Sequence, residues 1–149
     1  MRRLLPIAMA LAALFAACGE PEGFRKPEDA LDAGREFIRA VLDADYGKAE
    51  LYILKDEEGT RLFERYKSYM KNRPEPERLG LKSASILIHS VAAVDDSTTV
   101  IEYSNSYSRK HTPMRVVKRS GEWWIDFSHT VSGEATGMPQ GDSTKLPQP

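Results

Sequence analysis

The sequence predicts an α+β domain in which helices on the N-terminal side pack against one face of a four-stranded antiparallel sheet. Two observations carry that reading. Apolar residues recur at spacings of three and four between residues 30 and 70, the period of a helix with one buried face. Between residues 83 and 129 the period shortens to two, and four runs rich in β-branched and aromatic residues follow one another with short turns, which is a meander. Helices followed by strands, without alternation, place the helices together on one side of the sheet.

The first helix opens at Pro27-Glu28-Asp29, a helix-compatible proline followed by acids in the first turn, where they complement the helix dipole. Ala30, Leu31, Gly34, Phe37, Ile38, Val41 and Leu42 form its buried stripe. Asp45-Tyr46-Gly47 breaks it, and Lys48 to Leu54 makes a shorter second helix. Gly59 marks the next boundary. In the third helix Leu62, Phe63, Tyr66, Tyr69 and Met70 set the inner face, Arg61, Glu64, Arg65, Lys67 and Lys71 face water, and Pro74 and Pro76 end it. Tyr46, Tyr52, Tyr66 and Tyr69 read as core packing, since a phenol can bury its ring while its hydroxyl reaches water.

The strands run from Ser83 to Val94, Thr98 to Tyr107, Thr112 to Arg119 and Glu122 to His129, with Asp95-Asp96-Ser97 and Ser120-Gly121 as the clearest turns. In the last strand Trp123, Ile125 and Phe127 alternate with Trp124, Asp126 and Ser128, so the first set packs under the helices and Trp124 stands on the outer face, a candidate protein contact.

The N-terminus has a different logic. Arg2 and Arg3 precede an apolar run from Leu4 to Phe15, broken by Pro6 and followed by small residues, the layout of an export signal. Leu14-Phe15-Ala16-Ala17-Cys18 resembles the lipobox of bacterial lipoproteins, with Phe15 three positions before the cysteine where Leu is usual. That resemblance implies a signal peptide over residues 1–17 and a lipid attachment at Cys18. Each buried methylene of an acyl chain contributes about 0.8 kcal/mol, and the several chains of such an anchor hold permanently. An ordinary secretory signal cut near Ala16 or Ala17 is the other reading. A spanning helix needs about 20 apolar residues, more than this run offers. Gly19 occupies the place where Asp retains Gram-negative lipoproteins at the inner membrane, so the resemblance implies the outer membrane of the cell envelope.

Residues 18–26 carry Gly and Pro without an apolar period and read as a flexible tether; residues 130–149, dominated by Ser, Thr, Gly, Pro and Gln, read as a disordered tail. One domain remains between them, residues 27–129. Removing Arg2 and Arg3 takes the formal net charge from −1 to −3, which argues against a nucleic-acid partner and against polybasic attraction to lipid. Cys18 is the single cysteine, so no intramolecular disulfide forms and an apolar core must supply the stability. Three scattered histidines offer no zinc spacing, and Asp56-Glu57-Glu58 is consecutive where a calcium loop alternates, so neither metal nor other cofactor is expected.

Two segments carry a family likeness: Glu36-Phe37-Ile38-Arg39-Ala40-Val41-Leu42-Asp43-Ala44-Asp45-Tyr46-Gly47-Lys48-Ala49 and the closing Gly121-Glu122-Trp123-Trp124-Ile125-Asp126-Phe127. With the order of elements, they resemble small bacterial lipoproteins of the nuclear transport factor 2-like superfamily. The resemblance implies a cone, a strongly curved sheet wrapped around the helices with a cavity between them. In relatives that isomerise or cyclise, a carboxylate or His in the cone is the base and a Tyr or an acid the oxyanion donor. The matching candidates are His89, Tyr103, Tyr107, Asp126 and His129. Strand parity turns Asp126 outward and His129 inward, though at a frayed strand end, while His89 shares a face with Leu87 and Val91 and reads as a satisfied or solvent-facing histidine. The expectation is a non-enzymatic envelope module that binds a small ligand in the cavity or a protein, including a second copy, on the sheet face, with His89, Tyr103 and Trp124 as candidate contacts. The alternative is an isomerase or hydrolase using Tyr103 and a histidine.

Overall fold

The computed structural model describes residues 24–130. Four helices, α1 (Ala30–Leu42), α2 (Tyr46–Glu50), α3 (Glu57–Lys71) and α4 (Glu75–Lys82), precede four strands, β1 (Ile86–Asp95), β2 (Thr98–Asn105), β3 (Thr112–Arg119) and β4 (Glu122–Ile125). A short helix, α5 (Phe127–Thr130), follows. The strands form one open antiparallel sheet in the order β1-β2-β3-β4, and α1 crosses all four of them.

Aspartates start the helices. Asp29, Asp45 and Asp56 each accept a backbone N–H from the residue three ahead, at 2.8, 3.0 and 2.7 Å, and such caps stabilise a helix by about 1 kcal/mol each. Asp29 is therefore the cap of α1 and not a residue of its first turn. The chain leaves α1 through Ala44, whose φ of 60° reverses it into the Asp45 cap. The second helix begins two residues earlier than expected and stops at Glu50, because residues 52–54 pair in parallel with the free edge of β4: Ile125 N–H donates to Tyr52 O at 2.8 Å and Leu54 N–H to Ile125 O at 3.0 Å.

Gly59 is not a boundary; it lies in the first turn of α3, where a Cβ would sit 3.0 Å from the capping carboxylate of Asp56. The prolines also act differently from the expectation. The third helix ends at Lys71, and Pro74 and Pro76 open α4, where a missing N–H costs nothing. That helix takes up Ser83 as its cap, so β1 starts at Ile86. The strand β2 ends at Asn105, and Tyr107 falls in the following turn. At the end of the sheet, Asp126 accepts the N–H of His129 at 3.3 Å and bends the chain into α5, which shortens β4 to four residues.

Both domain boundaries extend beyond the expected ones. Phe24 stacks on Tyr52 with ring centroids 5.3 Å apart, Arg25 pairs with Asp32 and Glu36, and Lys26 pairs with Glu122, so the last part of the expected tether is fastened down. Thr130, assigned to the tail, is buried, with its Oγ1 accepting Arg115 N–H at 3.0 Å. The signal segment, Cys18, the rest of the tether and residues 131–149 lie outside the described residues.

The core joins the inner face of the sheet, Ile101, Met114, Val116 and Ile125, to α1, α3 and α5. At its centre the Phe63 and Phe127 rings meet edge to face at 5.3 Å, and Phe37 and Tyr66 close on Phe127 at 6.1 and 5.6 Å. Gly34 lets α1 come down onto the sheet, since a Cβ there would lie 2.7 Å from Met114 Cε. The β3–β4 turn, with φ of 51° at Ser120 and 81° at Gly121, has the two positive values of a two-residue hairpin whose twist matches the strands. Truncating the ring that ties α3 and α5 to α1, Phe127→Ala, is expected to cost about 3–5 kcal/mol in urea-denaturation free energy; a loss below about 1 kcal/mol would contradict this core.

Candidate functional site

The C-terminal half of α1, the end of α3, α4 and the β2–β3 hairpin leave a cavity of about 130 Å³ between them. Its floor is apolar: Ile38, Val41 and Leu42 from α1, Met70 from α3 and Leu81 from α4. Two phenols, Tyr66 from α3 and Tyr103 from β2, also line it, and its rim carries Arg73, Asn105, Ser108, Lys110 and Thr112. No carboxylate or imidazole is among these described residues.

Local sequence explains the rim. Asn105 ends β2, and its Oδ1 accepts the N–H groups of Tyr107 and Ser108 at 3.1 and 2.8 Å, which winds the hairpin loop tightly. Arg109 takes φ of 55° to complete the turn, returning Lys110 toward the pocket mouth. The loop is braced from outside by Tyr107, whose ring lies flat against the missing Cβ of Gly80 on α4. Across the mouth, Arg73 is held by Glu77 at 2.9 Å and lies 5.6 Å from the centre of the Tyr69 ring.

The two phenols are the perturbed groups. Burial pushes the Tyr103 hydroxyl up to about 12 and pushes that of Tyr66 further in the same direction. Both stay neutral donors across the physiological range, and neither hydroxyl has a hydrogen-bond partner among the described residues.

The remaining sequence candidates lie elsewhere. His89 is exposed. A bulge between Ile88 and Ser90 makes it the extra residue in β1 and carries Val91 onto the face of its partner Ile101, so His89 and Val91 do not share a face as expected. The His89 Nε2 lies 2.8 Å from Ser104 Oγ, and its ring stacks on His111 at 3.9 Å, while His111 Nδ1 meets Glu102 at 2.8 Å. Trp124 is half-buried and pairs across the ladder with the fully buried Val117, so it is less exposed than its outer-face position suggested.

Asp126 is buried, where parity had turned it outward, because the strand ends before it. His129, expected to point inward, is mostly exposed beside it. Burial raises the Asp126 carboxyl, but hydrogen bonds from His129 and Ser128 together outweigh it and hold the group below the usual aspartate range. Ser128, His129 and Asp126 are not a nucleophilic triad. Ser128 Oγ donates to Asp126 Oδ1 at 2.8 Å, and both face the same imidazole nitrogen, Nδ1, at 3.0 and 2.9 Å, so no second ring nitrogen relays a proton between them.

Sequence reasoning named Tyr103, which lines the pocket, but not the cationic rim, because α4 was not recognised and Arg73 and Lys110 sit in unpatterned connections. Asn105 followed by Ser-Tyr-Ser was the one available sign of a tight loop there. No group of three or more His, Cys, Asp or Glu among the described residues could hold a metal, and none of their helices is long and apolar enough to cross a membrane.

The half-buried phenols set a pH dependence. A folded-state value above the unfolded one, about 10 for tyrosine, means that the stability associated with these groups is complete below about pH 10 and is lost as pH rises toward 12. Absorbance titration at the tyrosinate band should show Tyr103→Phe removing a late-ionising phenol from the wild-type curve; unchanged curves would place Tyr103 in water.

Comparison with known proteins gives no match for this chain, either to a family model, to a curated protein or to a solved structure.

Proposed function

We propose that the protein is a lipid-anchored module of the bacterial cell envelope, built on a nuclear transport factor 2-like cone, that binds a small ligand in the pocket between α1, α4 and the β2–β3 hairpin without transforming it. The pocket carries this reading: an apolar floor closed by a few convergent polar groups is the usual make-up of a small-molecule site. The lipobox-like run ending at Cys18 supports the anchor, and Gly19 after it supports the outer membrane. One helix lying across a four-stranded antiparallel sheet with a cavity at its end is compatible with the cone.

The isomerase or hydrolase alternative is less favoured. A general base must lie within hydrogen-bond reach of the proton it removes. Tyr103 lines the pocket, but no histidine joins it there: His89 and His111 stack on each other, and His129 sits by Asp126. Alkyne fatty-acid labelling of cells making the full chain should mark the wild type and leave Cys18→Ser unmarked. Native mass spectrometry of the full chain in nanodiscs should show a small-molecule adduct that Leu81→Trp, which fills the floor, abolishes. An unmarked wild type would remove the anchor, and an adduct-free one the ligand.

A second reading, contact with another protein through the sheet, is favoured by β1. Its outer edge pairs with no other strand among the described residues, and Val91 and Val94 are 47% and 65% exposed. Free edge strands offer a ladder of N–H and C=O groups to a partner strand. If a second copy occupies it, sedimentation of the full chain in detergent should give a dimer that Val91→Lys converts to monomer; a wild-type monomer at all concentrations would overturn self-pairing.

A further inference from the structure

Resting on the small-ligand reading above, we infer that the ligand is a small anion with a compact apolar body, a monocarboxylate or phosphate monoester on a single ring or short acyl chain, bound body-first with its charged end between Lys110 and Arg73.

Three observations on the pocket converge on this. Its lining offers several groups that can donate and no carboxylate that can only accept. Asn105 has its carbonyl oxygen already taken by two backbone N–H groups, so its amide nitrogen is the free end. The hydroxyls of Tyr66 and Tyr103 are unpartnered donors within the described residues, and burial keeps them protonated. Formal charge points the same way, because Lys110 and Arg73 line the site and no lining group is negative. Glu77 neutralises part of Arg73 from outside the pocket, whereas Lys110 makes no ion pair among the described residues, so Lys110 is the cation with a vacant partner. Two cations and several groups able to donate stabilise an oxyanion at the mouth, whereas an ammonium there would meet the repulsion of Arg73 and Lys110 and find only hydroxyl oxygens to accept its N–H groups.

Size fixes the body. A cavity of about 150 Å³ in another protein accommodates one benzene molecule, and this one is close to that volume. It is smaller than the roughly 300–1,000 Å³ of sites for drug-sized ligands. The five apolar floor side chains therefore match one ring or a chain of a few carbons, and the remainder of a longer acyl chain would lie outside the mouth. Ser108 lies on the same rim and suits the second oxygen of a carboxylate.

The test uses the full chain in lipid nanodiscs and three water-soluble probes of equal body: benzoate, benzyl alcohol and benzylamine, with phenyl phosphate against inorganic phosphate to separate a body-borne head from a free anion. Methyl NMR of Met70 and Leu81 reports occupancy. Benzoate is expected to bind at least tenfold more tightly than benzyl alcohol, about 1.4 kcal/mol, with benzylamine weakest and inorganic phosphate leaving the methyls unshifted. Lys110→Gln, at an exposed position without an ion-pair partner among the described residues, should weaken benzoate about tenfold and leave benzyl alcohol unchanged, and Tyr103→Phe should weaken benzoate by about three- to tenfold at equal melting temperature. Benzyl alcohol binding as tightly as benzoate, with the same methyl shifts, overturns the anion while the pocket reading stands. Benzoate that shifts the methyls but ignores Lys110→Gln overturns the placement of its head. If no probe moves either methyl, the pocket reading itself falls.

Discussion

One helix has to cover one face of a four-stranded sheet, and most of the architecture follows from that constraint. At 1.5 Å per residue, α1 spans about 20 Å, enough to cross four strands spaced about 4.8 Å apart but not to run along a ten-residue strand as well. Gly34 brings it down onto Met114 and Ile101, and the Phe37, Phe63 and Phe127 rings fill the wedge on one side. The far half of β1 is left with both faces in water. Where α1 ends, α4 and the hairpin loop bridge the remaining gap without filling it, and the cavity is that unfilled remainder.

The acids of the domain explain why that remainder carries no negative charge. Four of the five helices begin on an aspartate whose carboxylate is committed to backbone N–H groups. Glu36 is held below its ordinary range, chiefly by the Lys48 ammonium and then by Arg25, and Glu77 is committed to Arg73. Each of these exposed pairs contributes at most about 1 kcal/mol. Their collective effect is distributional: the carboxylates serve caps and clamps at the periphery, while phenols and cations are what remain to face the cavity.

The α+β class and the inner faces of the long elements were legible from period alone, because Leu31 to Leu42 and Thr98 to Arg119 are long enough for burial to impose 3.6 or 2. The failures occurred where one residue type serves opposite roles. Pro74 and Pro76 stop a helix or start one, and only the chain beyond them, folding back onto α1 through Arg39 bonds to the Lys82 and Ala84 carbonyls, decides. Asp126 in an alternating strand reads as an outward group, yet an aspartate two residues before a serine is equally a helix cap. At His89 a bulge shifted parity by one, an effect set by the pairing with β2 and absent from the local pattern. The site was least legible because its rim is made of connections, whose side chains obey no period.

The clasp made by Phe24, Arg25 and Lys26 has a mechanical meaning. Asp32 and Glu36 lie on one flank of α1, whereas Ile38, Val41 and Leu42 lie roughly half a turn of azimuth away, at 100° per residue. A pull on the segment N-terminal to α1 is thus met by three ion pairs, two of them to the flank of the helix and one to Glu122, and by a ring on Tyr52. The cavity wall behind is strained only if α1 moves as a rigid rod, so a pull on Phe24 loads the clasp before it reaches the vestibule.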